Sequence, residues 1–427
     1  MTDAARAASD IYRPKLATAL AEGYGLGDLK RDAVAGLTAA IVALPLSMAI
    51  AIASGVSPDR GLYTAIVGGF LVSALSGSRF QIGGPAGAFI VLVAATVAKF
   101  GVGGLAVTVF LSGLMLTLVG ALRLGSLIRH IPHTVTVGFT AGIAVTISAS
   151  QLKDLFGLRL QGAEPGPFIP KIAALAHAAP SANLAAFALG ALVVAITVAI
   201  RRWRPMWPAM LIAVAAAAAA AAALHLPVET IGSRFGGIPH GLPAPRLPDL
   251  SRGRILAVLP AALSFTLLGG IESLLSAVVA DGMTGRQHRS NMELIAQGVA
   301  NCVSAVFGGI AVTGTIARTA TNIRAGGRSP VSGMLHAAFL LGFMAIAAPL
   351  ASYVPVAALE GVLVLVAWNM AEKAEFARLI GGWRSGAVLA ATFGLTVLKD
   401  LTTGILAGCL LAAAFWALHR WRVHRGV

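Results

Sequence analysis

The chain reads Gly83-Gly84-Pro85-Ala86-Gly87 at one point and Gly308-Gly309-Ile310-Ala311-Val312-Thr313-Gly314 at another. An apolar or helical pattern follows each of these two breaks. Clusters of glycine and proline interrupt regular structure, so a helix has to start anew after each break. The first backbone N–H groups of a new helix have no helical carbonyl to bind. The two breaks therefore predict two helix N-termini inside the fold.

The composition of the whole chain indicates a membrane environment. Of its 427 residues, 57% are hydrophobic and 11% are charged, whereas soluble domains carry about 25% charged residues. Apolar runs such as Ala33 to Ser54 and Ile255 to Ala280 are long enough to cross a bilayer as helices. The sequence shows no short alternating segments of the kind that build a membrane β-barrel. We therefore predict an all-α polytopic membrane protein.

We predict about 14 apolar segments, in two halves of about seven each. Their predicted bounds are 33–54, 61–77, 85–100, 102–122, 131–151, 183–200, 206–224, 255–280, 292–308, 315–325, 330–350, 355–371, 386–400 and 402–419. The third segment begins inside its break and the tenth is too short to cross, so both are predicted to be half-helices in equivalent positions. The predicted regions are a cytoplasmic N-terminal segment (1–30), a first half (31–224), an extracytoplasmic loop (225–254), a second half (255–419) and a cytoplasmic tail (420–427).

The net charge of +15 is explained by the positive-inside rule and does not call for a nucleic-acid partner. Basic residues lie at both ends of the chain and in alternate loops, among them Arg123, Arg129, Arg201, Arg202, Arg204, Arg286, Arg289, Arg324, Arg328, Lys373, Arg378 and Arg384. The first 30 residues lack the apolar core of a cleavable signal. We predict a multi-pass protein of the bacterial inner membrane with both termini in the cytoplasm.

The two breaks also predict a binding site. Unpaired N–H groups at membrane depth persist only in a protein-lined or wet cavity. Each helix end there favours an anion by about 0.3–1 kcal/mol, and by up to about 2 kcal/mol when partly buried. Interrupted segments in corresponding positions of two halves indicate the binding site of a transporter. We therefore expect a small anionic substrate, although the glycines also fit a role in close helix packing.

Arg318 lies one turn into the tenth segment. An arginine at membrane depth costs roughly 2.5 kcal/mol or more on insertion scales, so it is normally retained for a partner. No acidic residue lies near it in sequence. A bound anion is the expected partner. The alternatives are that Arg318 reaches the interface or pairs with a distant carboxylate.

Glu272 is the second charge in mid-membrane, with Ser273 and Ser276 close to it in the eighth segment. Carboxylates at this depth usually carry protons or cations. Glu272 and Ser276 are therefore predicted to couple transport to a proton or to Na⁺, although an ion pair with Arg318 is an alternative. No catalytic or metal-binding motif is present, so we predict no enzyme activity, no catalytic residue, no bound metal and no cofactor beyond the coupling ion.

Several motifs, in order from about residue 30 to 415, resemble the sulfate permease (SulP) family. The most specific are Asn291-Met292-Glu293-Leu294-Ile295-Ala296-Gln297-Gly298 and the stretch from Thr315 to Gly333. Shorter matches are Gly36 to Pro45, Ala53 to Val56, Gly61 to Thr64 and Gly77 to Pro85.

The resemblance implies a seven-plus-seven inverted repeat with a core and a gate domain, and alternating access between them. It implies that the substrate lies between the third and tenth half-helices. The site residues carried over are Pro85, Ala86, Gly87, Ala88, Thr315, Ile316, Ala317 and Arg318, with Leu46, Ser47 and Ile50 on the first segment closing one side.

Two departures affect the expected substrate. Many members have Gln where Leu46 stands and an aromatic residue near Ile50, so the site is more apolar than usual. The segment Val366 to Met370 and the Ile-Ala-Arg motif look most like the branch that takes up C4-dicarboxylates. Glu272 looks like the proton-coupled branch, whereas bicarbonate carriers have Asp there and use sodium.

Members usually carry a STAS domain after the last segment, and this sequence is expected to comprise the transmembrane domain only.

The first expectation is therefore a secondary active transporter that takes up C4-dicarboxylates such as fumarate or succinate with protons. The alternatives are a sulfate or bicarbonate transporter of the same family (proton-coupled, sodium-coupled or an exchanger) and an anion channel. A nucleobase permease would place carboxylates where this chain has Arg318. A homodimer is compatible with the sequence.

Overall fold

The computed structural model describes residues 11–125, 132–162, 164–204 and 207–425, and the side chains up to residue 418. Several sequence predictions lie outside these ranges. They are residues 1–10 of the N-terminal segment, the loop position Arg129, the first residue of the fifth segment, residue 206 of the seventh and residues 426–427 of the tail.

The described ranges are mostly helical. The helices are α1 (Lys15–Ala21), α2 (Leu26–Ala53), α3 (Pro58–Tyr63), α4 (Gly69–Leu75), α5 (Ile90–Ala121), α6 (His133–Leu155), α7 (Phe168–Ala178), α8 (Leu184–Trp203), α9 (Ala209–Ala223), α10 (Ile231–Phe235), α11 (Arg252–Thr284), α12 (Ser290–Val306), α13 (Ile316–Arg324), α14 (Val331–Ala351), α15 (Val356–Met370), α16 (Lys373–Ile380), α17 (Trp383–Leu398) and α18 (Leu401–Arg425). A π-helical turn at Thr64–Gly68 joins α3 to α4, and 3₁₀ turns lie at Gly87–Phe89 and Ala179–Ser181. Two short strands, β1 (Gly83–Gly84) and β2 (Thr313–Gly314), complete the list.

Each predicted apolar segment coincides with helix in this structure. By length and composition, 7 helices of the described part are able to cross a membrane on their own. The others are shorter, such as α9 and α17, or are interrupted. The third and fourth predicted segments form one helix, α5, with a break at Gly101, where φ is +68° and a side chain would be strained. The short helices α1, α7, α10 and α16 were not predicted, because they lie in polar or mixed stretches outside the apolar runs.

The chain divides into two compact units. The larger unit comprises Met1–Arg129 and Ala185–Val362, and the smaller comprises His130–Leu184 and Leu363–Val427. Each unit draws on both halves of the sequence. The boundaries that we predicted along the sequence therefore differ from these spatial units, and they stay a prediction.

Small residues let the helices of the larger unit approach closely. Gly113 on α5 faces the backbone of α12 at Gly298 and Cys302, and Gly36 on α2 faces the backbone of α14 at Ser332. A methyl group at either glycine would meet backbone atoms within 3 Å. Close packing of this kind is how membrane helices associate when lipid offers as apolar an environment as leucine.

The smaller unit uses the same device. Gly138 on α6 packs against Leu389 and Thr392 of α17, and Gly404 on α18 packs against Thr396 of that helix. Lys171 on α7 donates a hydrogen bond to Ser150 of α6 at 2.9 Å. Aromatic pairs add to these contacts, since Phe376 of α16 meets Phe393 of α17, and Trp383 of α17 meets Phe415 of α18.

Candidate anion-binding site

The two breaks meet in the larger unit as an antiparallel strand pair. Gly83 lies opposite Gly314, and Gly84 lies opposite Thr313. Thr315 N also donates to the carbonyl of Ile82 at 3.2 Å. The pairing was not predicted, because strands of 2 residues each carry no alternating pattern that a sequence could reveal. The pairing brings the N-termini of the third and tenth segments together.

The third segment begins later than predicted. Its α-helix starts at Ile90 and not at residue 85, because Pro85 lies outside any helix, Ala86 is extended and Gly87–Phe89 forms a 3₁₀ turn. Proline disfavours helical geometry in the residue before it, which keeps Gly84 in the strand. The four residues from Pro85 to Ala88 are all buried. No side chain caps the N-terminus of the 3₁₀ turn.

The tenth segment begins at Ile316, with Thr315 as its N-cap residue in an extended conformation. The hydroxyl of Thr315 makes no cap hydrogen bond, and its Oγ1 is buried without a hydrogen-bond partner in the described part of the chain. The first N–H groups of α13, at Ile316 and Ala317, are thus left without the side-chain cap that soluble helices use. Both helix ends that the sequence predicted are uncapped.

Arg318 is buried between these ends, with 1% of its surface exposed. Its Nη2 donates to Ser47 Oγ at 3.1 Å. Its Nε and Nη1 have no hydrogen-bond partner among the described residues. A guanidinium carries five N–H donors and no acceptor, so most of the donors of Arg318 have no hydrogen-bond partner among the described residues. This burial rules out the alternative that Arg318 reaches the interface.

Gly84 makes the position of Arg318 possible. A Cβ atom at Gly84 would overlap Nη1 of Arg318. Only glycine lets the strand of the third break approach the guanidinium so closely. The two breaks are therefore complementary, since one supplies the cation and the other supplies the space for it.

The first-segment residues lie on α2, directly after Pro45. Ser47 is fully buried, and Leu46 and Ile50 are 7% and 2% exposed. Ser47 contacts Arg318 through its hydroxyl, as described above, whereas Leu46 and Ile50 contribute apolar surface only. The apolar character that the sequence indicated at these two positions is retained in the structure.

Glu272 lies on the face of α11 that packs against the tenth break. Thr313 Oγ1 donates to the carbonyl of Gly269 at 3.4 Å, and Ser276 Oγ lies 3.3 Å from Thr319 Oγ1. Positions 269, 272 and 276 are spaced by three and four residues and so share one helix face. Glu272 is 8% exposed. Among the described residues, no ion pair or hydrogen bond joins its carboxylate to Arg318 or to another side chain.

Two further polar residues of this region, Glu293 and His336, are not among the predicted site residues. Glu293 is fully buried and accepts hydrogen bonds from Ser76 Oγ at 2.5 Å and from Gln81 Nε2 at 2.9 Å. The sequence signal that could have indicated Glu293 is its position as a carboxylate at the start of the ninth apolar segment. His336 on α14 is also fully buried, and neither ring nitrogen has a hydrogen-bond partner in the ranges described.

Comparison with known proteins identifies the family. Residues 29–392 match the Sulfate permease family. The chain belongs to the sulfate permease family. This family member is 41% identical over 397 residues to the "Putative sulfate transporter YvdB" of Bacillus subtilis, with 92% of this chain and 75% of that protein covered. It is 31% identical over 398 residues to the "Bicarbonate transporter BicA" of Synechocystis, with 90% and 69% covered.

Two solved structures have the same fold as this chain. The transmembrane domain of a cyanobacterium bicarbonate transporter BicA matches with a TM-score of 0.80 at 31% identity, over 89% of this chain and 98% of that chain. The overall structure of SLC26A9 matches with a TM-score of 0.87 over 97% of this chain and 69% of that chain, and its 18% identity shows the fold alone.

These findings confirm three sequence predictions. The chain is a sulfate permease family member, an all-α multi-pass membrane protein, and a transporter rather than an enzyme. They lend no support to the C4-dicarboxylate branch, because the relatives named above are described as sulfate or bicarbonate transporters.

Proposed function

We propose that this chain is a secondary active transporter of small inorganic oxyanions, with sulfate as the first candidate. The observation that carries the proposal is the buried Arg318 guanidinium with Nε and Nη1 unpartnered in the described part of the chain. A buried charge is costly unless it is paired. An oxyanion offers several acceptors to a guanidinium at once, and bonds between charged groups are stronger than neutral ones.

The two uncapped helix ends add N–H donors, which carry partial positive charge and so reinforce the guanidinium. The N–H groups that follow Ala86 and Thr315 lie on either side of the strand pair, and helix N-termini favour anions. Leu46 and Ile50 close the first-segment side with apolar surface. A compact anion suits one guanidinium and two helix ends, whereas a C4-dicarboxylate has a second carboxylate that calls for a second cation. The relative with 41% identity is named as a putative sulfate transporter.

Bicarbonate is the second candidate. It is favoured by the 31% identity and the TM-score of 0.80 to the transmembrane domain of BicA. Bicarbonate is also a small oxyanion that accepts from a guanidinium, so the geometry described above fits both substrates. The C4-dicarboxylates that the sequence analysis placed first remain a prediction to be tested beside them.

We further propose that Glu272 couples transport to a proton. Its carboxylate faces the tenth break and lacks a protein counter-charge among the described residues. A carboxylate in mid-membrane has to be neutralised. Without a protein counter-charge among the described residues, a bound proton or a bound sodium ion has to do this. Ser276 lies one turn further along the same face. The basic residues of alternate loops favour a topology with both termini in the cytoplasm of an inner membrane.

A counterflow screen tests the substrate. Proteoliposomes loaded with unlabelled sulfate, bicarbonate, fumarate, succinate or uracil would be mixed with the labelled form of each anion or base. We expect saturable counterflow of sulfate and weaker or no counterflow of fumarate and succinate. Transient accumulation distinguishes a carrier from a channel. Counterflow confined to the dicarboxylates would refute the proposal for inorganic anions.

Glu272→Gln tests the coupling. The amide imitates the protonated carboxyl, so this variant is expected to lose concentrative, pH-driven uptake and to keep exchange of labelled for unlabelled sulfate. If sodium is the coupling ion, wild-type uptake will require sodium, and the variant will lose that requirement. Concentrative uptake driven by pH that persists in Glu272→Gln would exclude the coupling role.

A further inference from the structure

Helix α12 carries a continuous polar face that is buried. The face consists of Glu293, Gln297, Asn301 and Ser304, of which the first, second and fourth are fully buried and Asn301 is 3% exposed. Spacings of four, four and three residues place these side chains on one side of the helix. Charged and amide side chains are seldom buried completely unless they are bonded. We call these four residues the polar face of α12.

The C-terminal part of the polar face holds the approach to the tenth break. Asn301 Nδ2 donates to the carbonyl of Val312 at 2.8 Å, and Val312 N donates to Asn301 Oδ1 at 3.0 Å. Ser304 Oγ donates to the carbonyl of Ile310 at 2.9 Å. The amide of Asn301 thus replaces a strand partner for Val312, immediately before β2. The backbone that leads into β2 is fixed by α12 on this side.

The N-terminal part of the polar face holds the approach to the third break. Glu293 Oε2 accepts from Ser76 Oγ at 2.5 Å and from the Gly77 N–H at 3.0 Å. Glu293 Oε1 accepts from the Nε2 atoms of Gln81 and Gln297, both at 2.9 Å, and from Ser273 Oγ at 3.2 Å. Residues 76–81 lead directly into β1. The approach to β1 is therefore tied to the same helix as the approach to β2.

Gln81 connects Glu293 to the strand pair itself. Its Nε2 also donates to the carbonyl of Ser273 at 3.1 Å. Its side chain lies so close to Gly314 of β2 that a Cβ atom there would overlap Nε2. Glu293 thus sets the position of Gln81 Nε2, and this atom in turn leaves no room for a side chain at Gly314 of β2.

We propose that the polar face of α12 positions the two half-helix ends relative to each other, and that Glu293 is its main positioning residue. The inference rests on the proposed function, because it assigns to these residues the geometry in which an oxyanion meets Arg318. The carboxylate is specifically required. Its neighbours present donors, and the Gly77 N–H can only donate, so an amide at position 293 would place a donor against a donor or lose an acceptor.

Amide hydrogen exchange tests the positioning role without any substrate. In purified Glu293→Gln, exchange in the peptide that spans residues 76–84 is expected to rise roughly threefold or more, because the Gly77 N–H loses its acceptor. Leu294→Ala is the matched control. Leu294 is fully buried next to Glu293, but it packs in an apolar cluster with Leu116 and Leu274. Equal exchange at 76–84 in wild type and Glu293→Gln would overturn the proposal.

Transport then separates positioning from stability. In counterflow with sulfate, Glu293→Gln is expected to raise the half-saturation concentration by roughly 3- to 30-fold, the range found for residues that act on a site without touching the ligand. Leu294→Ala is expected to lower thermal stability and leave the half-saturation concentration unchanged. A wild-type protein without sulfate counterflow would instead refute the proposed substrate, while the exchange result would still decide the role of Glu293.

Two further variants keep the test decisive. The double variant Glu293→Gln/Gln297→Glu keeps the composition and charge but moves the carboxylate one turn away from Ser76 and Gly77. We expect it to behave like Glu293→Gln, and full recovery of wild-type affinity would contradict the positioning role. If Glu293→Gln does not fold, Ser76→Ala removes one donor from Oε2 and is expected to give a smaller rise in half-saturation concentration. No rise in Ser76→Ala would then overturn the proposal.

Discussion

The third and tenth segments both begin at a glycine-rich break, yet they bring different groups to the place where they meet. The third break has no polar side chain between Gly83 and Ala88, so it contributes backbone groups and space. The tenth break is followed at once by Thr315 and Arg318. Because a Cβ at Gly84 would overlap the guanidinium, the space in one break is fitted to the charge in the other. The proposed anion site is thus divided between two segments that are more than 200 residues apart in sequence.

The supports of the two breaks differ as well. The approach to the third break is held by the carboxylate of Glu293. The tenth break is held by the neutral side chains of Asn301, Ser304 and Thr64, whose Oγ1 accepts from Ile310 N at 2.7 Å. The cation Arg60 also holds it, since its Nη1 donates to the carbonyl of Gly308 at 2.7 Å. The third break is therefore anchored by a carboxylate, whereas the described side chains that anchor the tenth break include no carboxylate. This arrangement keeps Arg318 free of a competing carboxylate.

The largest effect of a change in the third break is expected for Gly84→Ala. The added methyl group has to displace Arg318, so uptake should fall roughly 10- to 100-fold, as it does when a reacting group is misplaced by about 1 Å. Gly342→Ala on α14 is the control, since nothing lies within 4 Å of a Cβ there. Initial uptake rates per folded protein in proteoliposomes measure both. Equal rates in the two variants would show that the breaks are not fitted to each other.

A smaller but clear effect is expected for Ala88→Leu. Ala88 is 1% exposed at the start of the third segment, so the larger side chain has to fill the site or strain it, and we expect roughly a tenfold loss of uptake. Ala217→Leu on α9 inserts the same group at a fully buried alanine away from the breaks. It should cost stability and leave the half-saturation concentration unchanged. Unchanged uptake in Ala88→Leu would mean that the third segment does not line the site.

The smallest effect is expected outside the membrane, at Glu22. The hydrogen bond from Arg79 holds the pKa of Glu22 below its ordinary value of 4.5. A lowered pKa in the folded state stabilises the fold at pH values above 4.5, and this contribution is lost as the pH falls through the folded pKa. The difference in thermal midpoint between wild type and Glu22→Gln should therefore be constant from about pH 6 to 8 and shrink in acid.

Transport by Glu22→Gln at neutral pH can be compared with transport by the variants of the two breaks. Arg79 lies in the approach to the third break, but its partner Glu22 is half-exposed, and surface pairs contribute little. We expect Glu22→Gln to change uptake less than about twofold. A loss as large as that of Gly84→Ala would show that the N-terminal segment, and not the polar face of α12, controls the third break.

The sequence alone was sufficient to predict the two breaks and to single out Arg318 and Glu272 as charges inside apolar segments, and both side chains are buried. Each of these is a local exception: glycine and proline interrupt an apolar run, or a charge lies inside one. Local exceptions of this kind are visible without any knowledge of the fold. The start of the third segment was less well predicted than that of the tenth. Pro85 lies outside any helix, Ala86 is extended, and the α-helix begins only at Ile90.

The contacts that join distant parts of the chain were beyond prediction from one sequence. Ser76 and Glu293 are 217 positions apart, and nothing in either neighbourhood indicates that they meet. The same holds for Gly84 and Arg318. The sequence also placed C4-dicarboxylates before inorganic anions, from the segment Val366 to Met370 and the Ile-Ala-Arg motif, whereas the relatives named above are described as sulfate or bicarbonate transporters. Substrate choice depends on the arrangement of a few donors, which a motif does not specify.

Equilibrium binding of radiolabelled sulfate to purified protein tests the central claim most directly, that Arg318 supplies the charge of an anion site shared by the two breaks. Wild type is expected to bind sulfate saturably. Arg318→Ala should bind it more than about 30-fold more weakly while remaining folded and monodisperse, because truncating one partner of a buried charge pair costs about 2–5 kcal/mol. Arg318→Lys should recover part of the affinity, since it restores the charge and not the planar fork. A folded Arg318→Ala protein that binds sulfate with wild-type affinity would contradict the account.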